Sequence, residues 1–334
     1  MAPSRPTVDL LAEEEFAGYG ECSSGYDSFL TRDGANWLVA RTGDTIAVAR
    51  VAADTGRVLD EVRRWPRLRP DGGRAYASPL PDGGLAVVGD GLVTVYEADA
   101  RVRWTHEFTP WTAGTGASPA CVADPAGRRL LVTTPGDLTA RPYPGDLCVA
   151  LDLADGRPVG RAQLPSASAG YAFKQSLTHP AQLLLDAAQG DTFFTLAIGA
   201  AGGGLSADRT GLPTELAAGV GLGGAFLHLD VGGEWLSRYE AGQPEVRVDA
   251  EDVLPEDFRF VGYRTGFLDE GRVLAAAAEE EDSDENSHLL LDGRTLAPVA
   301  ELDYPGTVAY DPLALGDGTW LTVEDDTLRR WRPA

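Results

Sequence analysis

A strand, a tight turn and a second strand recur along this 334-residue chain, and that repetition constrains its fold more than any other feature. Four segments align on their turns: VARVAADTGRVLDEVRRW from Val48, VTVYEADARVRWTHEF from Val93, CVALDLADGRPVGRAQL from Cys148 and HLLLDGRTLAPVAEL from His288. Apolar residues alternate on both sides of each Asp, Gly or Ala turn, as half-buried antiparallel strands require. No stripe of helical period competes over these windows. Each hairpin is preceded by another with its own turn: FLTRDGANWLVAR, SPLPDGGLAVVG, CVADPAGRRLLVT and GFLDEGRVLAAAA. The repeating unit is therefore four strands.

Two weaker units follow the same plan, QSLTHPAQLLLDAAQGDTFFTLAIG and AFLHLDVGGEWLSRYEAGQPEVRV. The chain ends with PLALGDGTWLTVEDDTLRRWRP, which supplies only three strands, and the N-terminal TVDLLAEEEF is the candidate for the fourth. Seven units average about 48 residues each, within the spacing of four-stranded blade repeats. On these residues, LCVALDLADGRPVGRAQL above all, the chain resembles the seven-bladed β-propellers of the WD40-like or YVTN/quinoprotein-like sort. The resemblance is one of pattern, since the Gly-His and Trp-Asp pairs of true WD40 repeats are absent. It implies an all-β fold, one domain over residues 1–334, with four-stranded antiparallel blades and the N-terminal strand completing the last blade. A closed ring suits such strands because neighbouring sheets cover one another's faces and leave only short outer edges. Six or eight blades stay open at this point, because GAAGGGLSADRTGLPTELAA, residues 199–218, does not read as a clean strand pair.

Charge bounds the partners. Against 28 Lys+Arg stand 51 Asp+Glu, a net of −23, which repels phosphate backbones and anionic lipid surfaces. Neither nucleic acid nor a membrane is expected as a partner. The same charge keeps copies apart, so a monomer is expected. MAPSRPTVDLLAEEEF lacks an apolar run of signal-peptide length, and no segment has the roughly 18 apolar residues of a spanning helix. Cys22, Cys121 and Cys148 are an odd number at wide spacing, which fits three reduced thiols. The expected location is the cytoplasm. A single lysine beside 27 arginines, with abundant Ala and Gly, resembles the codon usage of a GC-rich bacterial genome.

Aligning the inner strands on their turns exposes a ring of candidate ligand-binding residues. Six or seven positions before the turn lie Tyr26, Tyr76, Tyr263 and Tyr310, with Phe173 in the corresponding place of the fourth unit. The next residues are Asp27, Ala77, Lys174, Arg264 and Asp311, so two acids and two bases are expected at the channel mouth. One reading is blade packing with the charges paired as a rim. The other is a polar pocket, which joins an apolar lining to a few convergent polar groups. A lysine desolvated beside Arg264 gains acidity and can act as base or nucleophile.

Other motifs are weak. His106, His179, His228 and His288 have no metal-ligand spacing, and no G-x-S-x-G elbow occurs. His179 sits at a first turn, in place of the usual Asp. GAAGGGL from Gly199 lacks the lysine of a phosphate loop and reads as a flexible loop or lid. RRWPRLRP from Arg63 and RRWRP from Arg329 pair Arg with Trp, as interface anchors do, and otherwise read as polar ends of outer strands. EEEDSDENSH, residues 279–288, opens like a calcium loop at Asp282. The sixth and twelfth positions, however, are Ser287 and Gly293 instead of glycine and glutamate. That stretch reads as an extended loop between the second and third strands of the sixth unit, and no metal or cofactor is expected.

Two functional readings follow. The favoured one is a non-catalytic binding or scaffold module that holds an unidentified protein or small-molecule ligand at its channel mouth or blade edges. The alternative is a small-molecule enzyme, a lyase, isomerase or hydrolase, with Lys174, Asp27, Asp311 and the tyrosines around one pocket.

Overall fold

Period-2 hydrophobicity broken by Asp-Gly turns becomes seven antiparallel sheets, taken in chain order. The computed structural model describes residues 4–22, 27–67, 75–89, 91–112, 117–167, 169–189, 192–199, 204–212, 216–280, 286–309 and 311–334. Blade 1 comprises Phe29–Arg32, Ala35–Thr42, Thr45–Val51 and Leu59–Pro66; blade 2 comprises Tyr76–Pro79, Leu85–Gly89, Leu92–Tyr96 and Val102–Glu107. Blade 3 is Cys121–Ala123, Arg129–Thr134, Leu147–Asp152 and Pro158–Gln163; blade 4 is Gly170–Gln175, Leu183–Gln189, Thr192–Gly199 and Ser206–Arg209. Blade 5 has Ala225–Leu229, Trp235–Glu240 and Val246–Asp249, and blade 6 has Arg259–Asp269, Arg272–Ala278, Asn286–Asp292 and Pro298–Glu301. Blade 7 is Leu313–Ala314, Trp320–Glu324 and Thr327–Pro333, with Val8–Glu15 as its outermost strand. The first hairpin shows why the turns recur: Asp33 and Gly34 both have positive φ, 49° and 70°, the twist that two-residue hairpin turns need.

The blade count closes at seven because residues 199–218 divide between two blades. Ser206–Arg209 is the outer strand of blade 4, while Leu216 bridges His228 and the Ala217 amide donates to the Leu227 carbonyl, lining blade 5 on its inner side. This inner segment also bonds to blade 6, Ala218 N to Tyr263 O at 2.6 Å and Phe267 N to Val220 O at 3.0 Å. Gly219 permits the approach, since a Cβ there would stand 2.3 Å from the Thr265 carbonyl oxygen. A segment of Gly and Ala wedged between two blades carries no alternating pattern, which is why the sequence hides it.

The core lies between blades. Val39 and Ile46 of blade 1 pack with Leu85 and Tyr96 of blade 2, and Val88 and Val95 of blade 2 with Leu130 and Leu151 of blade 3. Leu131 and Ala150 meet Tyr171, Leu185 and Leu196 of blade 4, while Leu274 and Leu290 of blade 6 meet Trp320 and Trp331 of blade 7. Each large side chain buried this way contributes about 1.5–3 kcal/mol.

Closure joins the chain ends. Val8–Glu15 runs antiparallel to Thr327–Pro333, from Val8 opposite Pro333 to Glu15 opposite Thr327, with a bulge between Leu10 and Ala12. The RRWRP segment is consequently the third strand of its blade and not the end of an outer one. Arg330 within it is fully buried, and its guanidinium donates to Thr319 Oγ1, to Asp317 and to the carbonyls of Ala52, Asp54 and Arg57 in blade 1. RRWPRLRP does occupy the outer strand Leu59–Pro66, although residues 68–70 lie outside the described residues. The acidic stretch connects the second and third strands of blade 6 as expected; residues 281–285 of it lie outside the described residues. So do residues 200–203 of the Gly-rich loop between the third and outer strands of blade 4.

Candidate functional site: a pinched channel and an outer groove

Seven inner strands facing an axis normally leave a channel. Here the inner strands of blades 1 and 4 touch across it. Arg32 ends the first inner strand, and its guanidinium reaches the carbonyl oxygen of Phe173 in blade 4 at 3.2 Å while Nε donates to Ser78 Oγ of blade 2 at 3.3 Å. Beside it the Asp33 amide donates to Gln175 Oε1 of blade 4 at 2.9 Å. Against this contact, at the axis, lies a cavity of about 30 Å³. A water needs roughly 10–15 Å³ on this measure, whereas ligand pockets run to hundreds.

The ring of candidate residues is only partly brought together. Asp27, Tyr76, Phe173 and Lys174 line the small cavity. Asp27 is ion-paired with Arg41, Tyr76 Oη lies 3.4 Å from Ser118 Oγ, and Lys174 Nζ is 3.4 Å from the Ala217 carbonyl. Phe173 is buried in the core between blades 3 and 4. Tyr263 faces a separate cavity of about 310 Å³ between blades 5 and 6, which it shares with Leu216, Asp230 and Arg259. Arg264 and Asp311 are absorbed by each other. Their side chains pair at 3.5 Å, the Arg264 amide donates to Asp311 Oδ1 at 3.1 Å, and Arg264 Nη2 donates to Ser28 Oγ at 2.9 Å. Gly262 gives Asp311 room, because a Cβ there would lie 2.5 Å from its carboxylate. Tyr26 and Tyr310 lie outside the described residues. The residue that plugs the channel, Arg32, was hidden in the TRDG of an ordinary turn, where an Arg beside an Asp reads as a surface pair.

More room lies outside the ring. Between blades 1 and 2, on the side carrying the Asp33-Gly34 and Pro81–Gly84 turns, a groove of about 500 Å³ is lined by Trp37, Trp65, Arg50, Arg63, Pro79 and Pro81, among others. Trp37 and Arg50 are cross-strand partners. Both indoles are fixed by their N–H groups, Trp37 on the Arg32 carbonyl at 3.3 Å and Trp65 on that of Glu97 at 3.0 Å. Arg63 is held by Glu61 and the Gly83 carbonyl. Arg50 is exposed and has no acidic partner among the described residues.

Metal chemistry has no visible seat: among the described residues no group of three or more His, Cys, Asp or Glu is placed to share an ion. No described helix is long and apolar enough to cross a membrane. The cysteines are free, with Cys121 and Cys148 buried, and burial pushes both thiols up to about 12.

These seven sheets, closed by the N-terminal strand, make the molecule a seven-bladed β-propeller. Its sequence matches no protein-family model and no curated protein. In structure it is similar to BBS1N in its complex with ARL6DN, at a TM-score of 0.54 and 14% identity, over 99% of this chain and 98% of that one. BamB from Moraxella catarrhalis is more distant, with a TM-score of 0.48 and 11% identity over 91% of this chain and 81% of that one. Matches to 588 solved chains mark a widely used fold, which by itself designates no activity.

Proposed function

We propose that this protein is a non-catalytic binding module of the cytoplasm that holds a protein partner on its outer surface, in the groove between blades 1 and 2. One observation carries the reading. The cavity beside Lys174 has about 30 Å³, while the groove offers about 500 Å³ framed by two anchored tryptophans and an arginine without an acidic partner among the described residues. Trp and Arg in such settings supply most of the energy of protein interfaces, and indoles already fixed by hydrogen bonds lose little freedom on binding. An acidic or aromatic anchor on the partner suits Arg50 and Trp37. Support also comes from BBS1N, a propeller of similar extent found in complex with a protein, ARL6DN. The cytoplasmic setting rests on three free thiols. For the enzyme reading, Lys174, Asp27 and Asp311 share no metabolite-sized volume among the described residues.

Affinity capture from the source cells, with the wild type and with Arg50→Glu and Trp37→Ala variants, tests this. The expected result is a stoichiometric partner retained by the wild type and lost from Arg50→Glu, whose exposed position leaves melting unchanged. A partner held equally by both groove variants, or turnover that depends on Lys174, overturns it.

A further inference from the structure

Three arginines are buried among the described residues, and two face carboxylates: Arg264 meets Asp311 and Arg330 meets Asp317. Arg32 is the exception. Its partners among the described residues are neutral, namely Ser78 Oγ, the Thr31 carbonyl at 2.8 Å and the Phe173 carbonyl. Cys121 beside it supplies no charge, since burial holds that thiol up at about 12. Burial pulls Arg32 down to about 10, which still leaves it cationic at neutral pH. A guanidinium has five N–H donors, and these three contacts leave two unused. A buried charge without compensation is strongly destabilising.

The cavity that Arg32 lines has the right sign and size for a remedy. Its lining carries Arg32 with no carboxylate opposite it among the described residues, and the carboxylate it does contain, Asp27, is paired with Arg41. About 30 Å³ admits one atom-sized guest. A water would satisfy N–H groups but not the charge. We propose that the pinched channel is an anion site in which a single halide-sized inorganic anion sits against Arg32, with Lys174 on the same wall. The anion neutralises the guanidinium that ties blades 1, 2 and 4 across the axis, so it locks the ring. A protein of net charge −23 thus keeps a cationic centre.

Thermal melting of the full chain in sodium chloride and in sodium gluconate at equal ionic strength tests the site, because gluconate is too large to enter. Chloride about ten-fold above its dissociation constant is expected to raise the melting temperature by roughly 2–4 °C over gluconate. Bromide should act alike, and Arg32→Met should abolish the difference. Broadening of the ³⁵Cl resonance by the wild type, reversed by bromide, is an independent readout should Arg32→Met fail to fold. Equal melting in the two salts without ³⁵Cl broadening overturns the proposal, as does an Arg32→Met protein that keeps the chloride response.

Discussion

His228 has no exposed surface, and neither of its ring nitrogens finds a hydrogen-bond partner among the described residues; the edge of Tyr239 packs against it at 5.9 Å. Burial lowers its pKa to about 4. In the unfolded chain the group titrates near 6.5, so between these values the unfolded state binds the extra proton. Its contribution is therefore complete above about pH 6.5 and is lost as the pH falls towards 4, at about 1.4 kcal/mol per pH unit inside that window. Urea unfolding of a His228→Leu protein across this range should show a slope shallower by one proton than the wild type. Identical slopes would mean that His228 is protonated without penalty. Arg32, Arg264 and Arg330 make the matching point for cations: each is buried, and what distinguishes them is whether a carboxylate has been placed opposite.

Among the elements, the N-terminal strand is the one whose role is not local. Besides pairing along Thr327–Pro333, it passes into Phe16, which is buried and stacked on Tyr19 at 5.5 Å, and into Gly18 and Gly20, whose amides donate to the Asp326 carboxylate at 2.8 and 2.9 Å. Those backbone bonds hold Asp326 below the usual carboxylate range. Deleting residues 1–16 removes the strand and the Phe16 anchor together, and calorimetry should find a melting temperature lower by about 10 °C or more. A truncated protein that melts unchanged would show that the three-stranded blade stands alone. This strand was legible in the sequence because the last unit lacked one and TVDLLAEEEF alternated. The hairpins of blades 1, 2, 3 and 6 were legible for the same reason, each turn residue agreeing with the strands around it. Blade 5 was not, since its inner segment bonds to two blades at once and needs small residues more than alternation. The ring of site residues was readable as a register and unreadable as a site. Counting from the turn finds Lys174 and Asp311, but only the cross-channel contacts of Arg32 and the Arg264–Asp311 pair decide what space is left around them.

For the whole molecule, closure has to bind blade 7 to blade 1, and two residues far apart in sequence do this at one place. Arg330 donates to the carbonyls of Ala52, Asp54 and Arg57, and Glu14 of the N-terminal strand accepts the amide of Leu59 at 3.0 Å, so both grip the turn that precedes the outer strand of blade 1. A ring of repeats in which each blade contacts only its neighbours is as cooperative as its weakest junction. Arg330→Met takes the guanidinium donor from the carbonyls of Ala52 and Arg57 and one donor each from Asp54 and Asp317, and should cost about 3–5 kcal/mol. Glu14→Ala should cost less, about 1–2 kcal/mol, through the single bond to a charged acceptor. Because the two act on one turn, the double variant should fall short of the sum by about 0.5–3 kcal/mol. Strict additivity in urea unfolding would mean that the junction is held elsewhere, with Arg330 and Glu14 acting as independent local contacts.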